Sequence, residues 1–175
     1  MPMVSKKVIY LDHLCTDHGV KPDPSKLSKV KDFPIPKNVN EARRFVAFAN
    51  YYRRFIENFA EMARPLNNLA KKNAKFDWSQ ECQNSFDNLK QRLISPPLLA
   101  YPDLTKEFIL MIDASDRTFG AVLAQEFDSY YRPIAYFSKN FTKGKLTKSI
   151  IEKELLAIYY AIRHFEPYLF GKKCL

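Results

Sequence analysis

Residues 107–116 read EFILMIDASD. The apolar run Phe108–Ile112 has the length and composition of a strand, and it delivers Asp113 at its end with Asp116 three residues on. A carboxylate at the margin of a core is costly unless something offsets its charge. The downstream pattern is regular. Residues 119–126 (FGAVLAQE) and 132–138 (RPIAYFS) read as two further strands joined by tight connections, and a helix spans about 149–166. Three strands and a helix in that order describe an antiparallel meander covered on one face.

On a wheel of about 100° per residue, Ile151, Leu155, Ile158, Ile162 and Phe165 form the apolar stripe of the last helix. Glu154 falls about 60° to one side of it, on a shoulder shared with Ala157 and Ala161. Small residues there allow close approach to the sheet, so Asp113 and Glu154 are both expected at the margin of one core. Clustered carboxylates repel unless a proton or a cation intervenes, and magnesium is the hard cation suited to oxygen donors. The alternative is that strand-end aspartates cap turns, the role expected of Asp116.

Upstream, SPPLLAYPD (95–103) carries three prolines and marks a boundary. Before it the pattern is helical. A short helix fits 25–32 with Ser25 as N-cap, and a helix over 41–59 shows Phe45, Phe48, Tyr52, Phe55 and Phe59 at spacings of 3 and 4. Arg43, Asn50 and Arg54 share its opposite face with Ala47, and Arg44 and Arg53 flank them. PLNNLAKK (65–72) and about 79–93 complete the helical part. VIYLDHLCTDHGV (8–20) reads as two strands around an Asp17-His18-Gly19 turn.

Among the 175 residues, 28 Lys and Arg face 19 Asp and Glu, a net charge of +9. Residues 1–75 hold 15 of those cations against 7 acids, which fits a polyanionic partner. Cys15, Cys82 and Cys174 are far apart and form no CxxC pair, so neither a zinc site nor a disulfide framework is indicated. No apolar run is long enough to span a bilayer, and the N-terminus lacks a signal-peptide apolar region. An intracellular chain, cytoplasmic or nuclear, is expected.

IDASDRTFGAVLAQ, RPIAYFSKNFTK and EKELLAIYYAIRHFEPYLFGKK together resemble the first half of the ribonuclease H domain of gypsy-type LTR retrotransposon pol polyproteins. PDPSKLSKVKDFPIPKNVNEARRFVAFANYYRRFI, ARPLNNLAKK and FDWSQECQNSFDNLKQRL resemble the thumb and linker of the same reverse transcriptase, and YLDHLCTDHGVKPDPSK resembles the end of its palm. The resemblance implies an α+β chain in three parts. A palm-end hairpin (1–22) precedes a helical thumb and linker (23–95), and the N-terminal half of a ribonuclease H-like domain (96–175) completes the chain, with three antiparallel strands and a helix.

It also implies a chemistry. Such ribonucleases use four carboxylates and two magnesium ions to cleave the RNA strand of RNA–DNA hybrids. Asp113 matches the first carboxylate and Glu154 the second, as catalytic and metal-binding residues. Arg43, Arg44, Asn50, Arg53 and Arg54 match a helix that contacts an RNA–DNA hybrid or DNA duplex. Further partners are the rest of the pol polyprotein, and no membrane is implied. Where the family continues into a TD pair after YLFGKKF, this sequence reads YLFGKKCL. The third and fourth carboxylates and the polymerase YxDD aspartates are therefore expected to be missing, leaving an open sheet edge and a chain inactive alone. Thr118, where glycine is common, and Asp12, where FLGH is common, also depart from the pattern.

Overall fold

The structure, a computed structural model, describes residues 7–71 and 75–175. The start of the expected 1–22 segment and Lys72, at the end of the expected PLNNLAKK helix, lie outside the described residues.

The chain opens with three short antiparallel strands, β1 (Val8–Tyr10), β2 (His13–Thr16) and β3 (Gly19–Pro22), in that order. The first of these was not expected. Leu11 and Asp12 both take positive φ (46° and 59°) and turn the chain in two residues between paired Tyr10 and His13, the turn geometry that suits the twist of a hairpin. The sheet is tied onward through Val20, whose backbone exchanges hydrogen bonds with Leu99 (2.8 and 2.9 Å).

Helix α1 (Pro24–Lys31) is capped by Asp23, not Ser25. Pro24 supplies the preset φ of the first helical residue, and the Asp23 carboxylate accepts from Ser25 N (2.9 Å) and Ser25 Oγ (2.7 Å). These bonds hold that carboxyl below its usual range. Helix α2 (Val39–Tyr51) starts at Asn38, whose Oδ1 accepts from Glu41 N (3.0 Å), while Glu41 reaches back to accept from Lys37 N (2.8 Å).

The continuous helix expected over 41–59 is broken. After Tyr51 the chain makes a 3-10 turn (Arg53–Phe55), then passes through Asn58 in left-handed backbone (φ 53°) into α3 (Phe59–Met62). The aromatic stripe survives the break because each aromatic still points inward. Phe45, Tyr52, Phe55 and Phe59 are buried, and Phe48 packs on the same cluster. Helices α4 (Arg64–Leu69) and α5 (Gln80–Ile94) close this core, with the ring centroids of Phe86 and Phe45 4.5 Å apart and Leu66 and Leu89 fully enclosed. Side chains of that size contribute about 1.5–3 kcal/mol each by leaving water.

The second part is the expected meander. Strands β4 (Ile109–Ala114), β5 (Thr118–Phe127) and β6 (Tyr130–Asn140) pair antiparallel in chain order. Across the sheet, Asp113 pairs with Gly120 and Gly120 with Ser138. A four-residue helix, α6 (Lys143–Leu146), precedes α7 (Ile150–Leu169). Ser149 and Glu152 cap α7 reciprocally. Lys148 and Ser149 hold the Glu152 carboxyl down to about 2. The helix ends before Gly171, at φ +69°.

The face that α7 turns to the sheet is not the one its hydrophobicity indicates. Ala157, Ala161 and Phe165 are buried against Leu110, Ile112 and Phe137. Ile151, Leu155, Ile158 and Ile162 are exposed. The alanines let the helix backbone settle close to the sheet, and that approach decides which face is inside.

Candidate nucleic-acid interface and carboxylate pair

Strand alternation settles the setting of Asp113. Ile112 and Ala114 pack under α7, so Asp113 and Met111 project from the opposite face of β4. There Asp113 lines a cavity of about 300 Å³ together with Glu57, Asn58, Gly120, Val122 and Tyr136. Gly120 makes the floor of this cavity possible. A Cβ on Gly120 would stand 2.3 Å from Asn58 Oδ1, so the loop after the 3-10 turn rests on the β5 backbone itself. This is the close approach that a glycine permits.

Glu154 lies on α7, the helix that covers the other face, and is exposed. The structure thus brings Asp113 beside Glu57 rather than into a shared core margin with Glu154. Glu57 escaped the sequence reading because 56 residues separate it from Asp113 and only tertiary packing joins them. Among the described residues, no group of three or more His, Cys, Asp or Glu side chains is placed to hold a metal ion. The two carboxylates supply hard oxygen donors of the kind magnesium takes, but they do not complete a two-ion site.

The edge of β4 is partly occupied. Phe108 pairs in parallel with Cys174. Phe108 N donates to Lys173 O (3.1 Å), Leu175 N to Phe108 O (2.9 Å) and Leu110 N to Leu175 O (3.0 Å). Residues 173–175 therefore run beside β4 in the direction that leads toward Asp113.

The basic residues divide into two sets. Arg43, Arg44 and Asn50 are exposed on α2, and Arg43 Nε donates to Ala70 O (2.8 Å), which fixes its stem. Arg53 and Arg54 lie beyond the helix end, so the single-helix wheel that grouped Arg54 with Arg43 does not hold. Arg53 is half-buried. It donates to Ser138 O and lies 5.8 Å from the ring centroids of both Phe59 and Phe137. It joins the two halves of the fold, which differs from the flanking contact expected of it. Arg54 covers the Phe55 ring at 5.7 Å. Within the described residues, no helix is long and apolar enough to cross a membrane.

A three-stranded meander under one helix, with a strand-end aspartate and a parallel seat on the edge strand, defines the class: a ribonuclease H-like fold joined to a helical domain. Residues 78–175 match the model of the RNase H-like domain found in reverse transcriptase, and the chain belongs to that family. It is 51% identical over 166 residues to the retrovirus-related Pol polyprotein from transposon 412 of Drosophila melanogaster, covering 95% of this chain and 13% of the polyprotein. It is 39% identical over 173 residues to that from transposon 297 of the same fly, covering 98% and 16%. The Tf2-3 polyprotein of Schizosaccharomyces pombe is 37% identical over 164 residues, 93% of this chain and 12% of its own length.

The chain thus corresponds to a small segment of retrotransposon Pol polyproteins. The same fold occurs in a foamy viral protease-reverse transcriptase dRH in complex with double-stranded DNA (TM-score 0.83, 22% identity, 96% of this chain and 30% of that one). It occurs also in the foamy viral protease-reverse transcriptase in complex with RNA/DNA hybrid (TM-score 0.81, 22% identity, 96% and 23%).

Proposed function

We propose that the chain is the thumb, linker and first half of the ribonuclease H domain of a gypsy-type reverse transcriptase, acting inside the cell, in the cytoplasm or nucleus. Residues 1–22 correspond to the palm end, 23–95 to thumb and linker, and 96–175 to the ribonuclease H part. In the parent polypeptide it holds an RNA–DNA hybrid or DNA duplex through Arg43, Arg44 and Asn50. Asp113 and Glu154 are its share of a magnesium site that cleaves the RNA strand, completed by carboxylates outside this chain.

The observation that carries this reading is the parallel pairing of residues 173–175 with β4. A strand continuing in that register would carry its side chains past Asp113. With the described residues alone the site is incomplete, so this chain binds without cleaving. The second reading, a retroelement-derived binding module with no catalytic role, is favoured by the separation of Asp113 from Glu154 across the sheet.

Both readings require duplex binding, and one pair of experiments separates them. Fluorescence anisotropy with a labelled RNA–DNA hybrid should show salt-dependent binding, weakened about tenfold or more by Arg43→Glu with Arg44→Glu and unaffected by Asp113→Asn. In a longer Pol polypeptide containing this segment, Asp113→Asn should abolish magnesium-dependent RNA cleavage while leaving binding intact. Cleavage that survives Asp113→Asn overturns the catalytic reading, and absence of salt-dependent binding overturns both.

A further inference from the structure

Asn58 is an asparagine at a helix start whose side chain caps nothing. Its carbonyl opens α3 by accepting from Met62 N (3.2 Å), yet the side chain makes no capping hydrogen bond. Asparagine at that position ordinarily takes extended backbone and gives its side-chain oxygen to the first free N–H groups of the helix. Here the backbone is left-handed (φ 53°, ψ 30°), and the amide lies on the β5 backbone, where a Cβ on Gly120 would meet it. Asn58 is exposed, so this contact is not one that filling a core demands.

Gly120 is the middle of a row that crosses the sheet from Asp113 through Gly120 to Ser138. The segment 53–60 touches that row three times. Arg53 donates to Ser138 O and Ala60 N to Ser138 Oγ (2.8 Å), and Asn58 rests on Gly120. Glu57 and Asn58 also share one cavity with Asp113, the last member of the row. Little else fixes that end of β4. Among the described residues, its outer bonds to 173–175 stop at Leu110, and on the other side it pairs with β5 alone. Helix α7 supports Ile112 and Ala114 from one face, and on the cavity face the support passes through Gly120.

We infer that Asn58 is a positioning residue for Asp113. It acts through the Gly120 backbone, and it makes the placement of the strand-end carboxylate depend on the helical part being seated on the sheet. The inference rests on the catalytic role proposed for Asp113. Asn58 itself needs no contact with substrate. A reacting group displaced by about 1 Å loses about 100-fold in rate, so a contact one strand away is close enough to matter.

The test is Asn58→Gly, which removes the amide and keeps a residue at ease in left-handed backbone. In this chain, with circular dichroism confirming the fold, proton–nitrogen correlation NMR should show the Asp113 amide signal shifted together with that of Gly120. In a longer Pol polypeptide containing this segment, the same variant should cleave the RNA strand of a hybrid with kcat lowered about tenfold and KM changed by less than about twofold. Gln83→Ala, which removes the bond from Trp78 Nε1 (2.8 Å) in the helical part, is the control for general loosening and should keep kcat within about twofold. An unmoved Asp113 signal, an unchanged kcat, an effect confined to KM, or an equal loss in Gln83→Ala overturns the positioning role and leaves the catalytic reading of Asp113 in place. If cleavage survives Asp113→Asn, the catalytic reading fails and the positioning role fails with it.

Discussion

Asn58 holds two facts in one residue: it takes left-handed backbone, and its side chain rests against the only kind of residue that leaves room for it. Replacing Gly120 with alanine should force the Asn58 amide aside and cost about 1–3 kcal/mol in urea unfolding, the range for an overpacked contact. In an Asn58→Gly background the same change should cost clearly less, since the obstructing amide is gone and the two sites couple. Equal costs in both backgrounds would show that the close approach is not the reason for the glycine. That residue 120 is a strand glycine is a local reading of the sequence, whereas what approaches it is not. Asp113 was legible for a similar reason, since a strand-length apolar run ending in a carboxylate is a local pattern. Its neighbour Glu57 was not, because no local signal connects two residues so far apart in the chain.

At the scale of elements, caps and breaks explain where reading by periodicity succeeded. Helices α2 and α5 begin at Asn38 and Ser79, residues whose side chains accept the first free backbone N–H groups. The aromatic spacing of 45–59 correctly marked core positions yet concealed a helix break, because a 3-10 turn still returns side chains to the same side. Helix α7 was misread for the opposite reason. A wheel ranks faces by hydrophobicity, whereas packing against a sheet ranks them by how near the backbone can come. Ala161→Leu should therefore destabilise the chain by about 1–3 kcal/mol, while Leu155→Gln, on the exposed aliphatic row, should change stability by less than about 0.5 kcal/mol. Thermal or urea midpoints decide this, and the reverse order would restore the wheel's assignment.

Across the whole molecule, the two halves are joined at Ser138. Its Oγ accepts from Ala60 N (2.8 Å) and its carbonyl from Arg53, both buried or nearly so. Ser138→Ala should strand the Ala60 N–H and cost about 1–3 kcal/mol in urea unfolding. The intact chain should unfold in one step, with Trp78 fluorescence from the helical core and far-ultraviolet dichroism from the whole giving coincident curves. Separated curves would show that the halves are independent. This seam was invisible in the sequence, where the prolines of 95–103 suggested only a boundary.

The short parallel pairing at the β4 edge has a consequence of another kind, concerning the order in which the fold is assembled. Strands β4, β5 and β6 are neighbours in the chain and can pair as soon as they are made. The partner of Phe108, by contrast, is Cys174, reached only after α7 has crossed the sheet. During synthesis β4 must therefore wait with its outer backbone groups unpaired until residues 173–175 return to it.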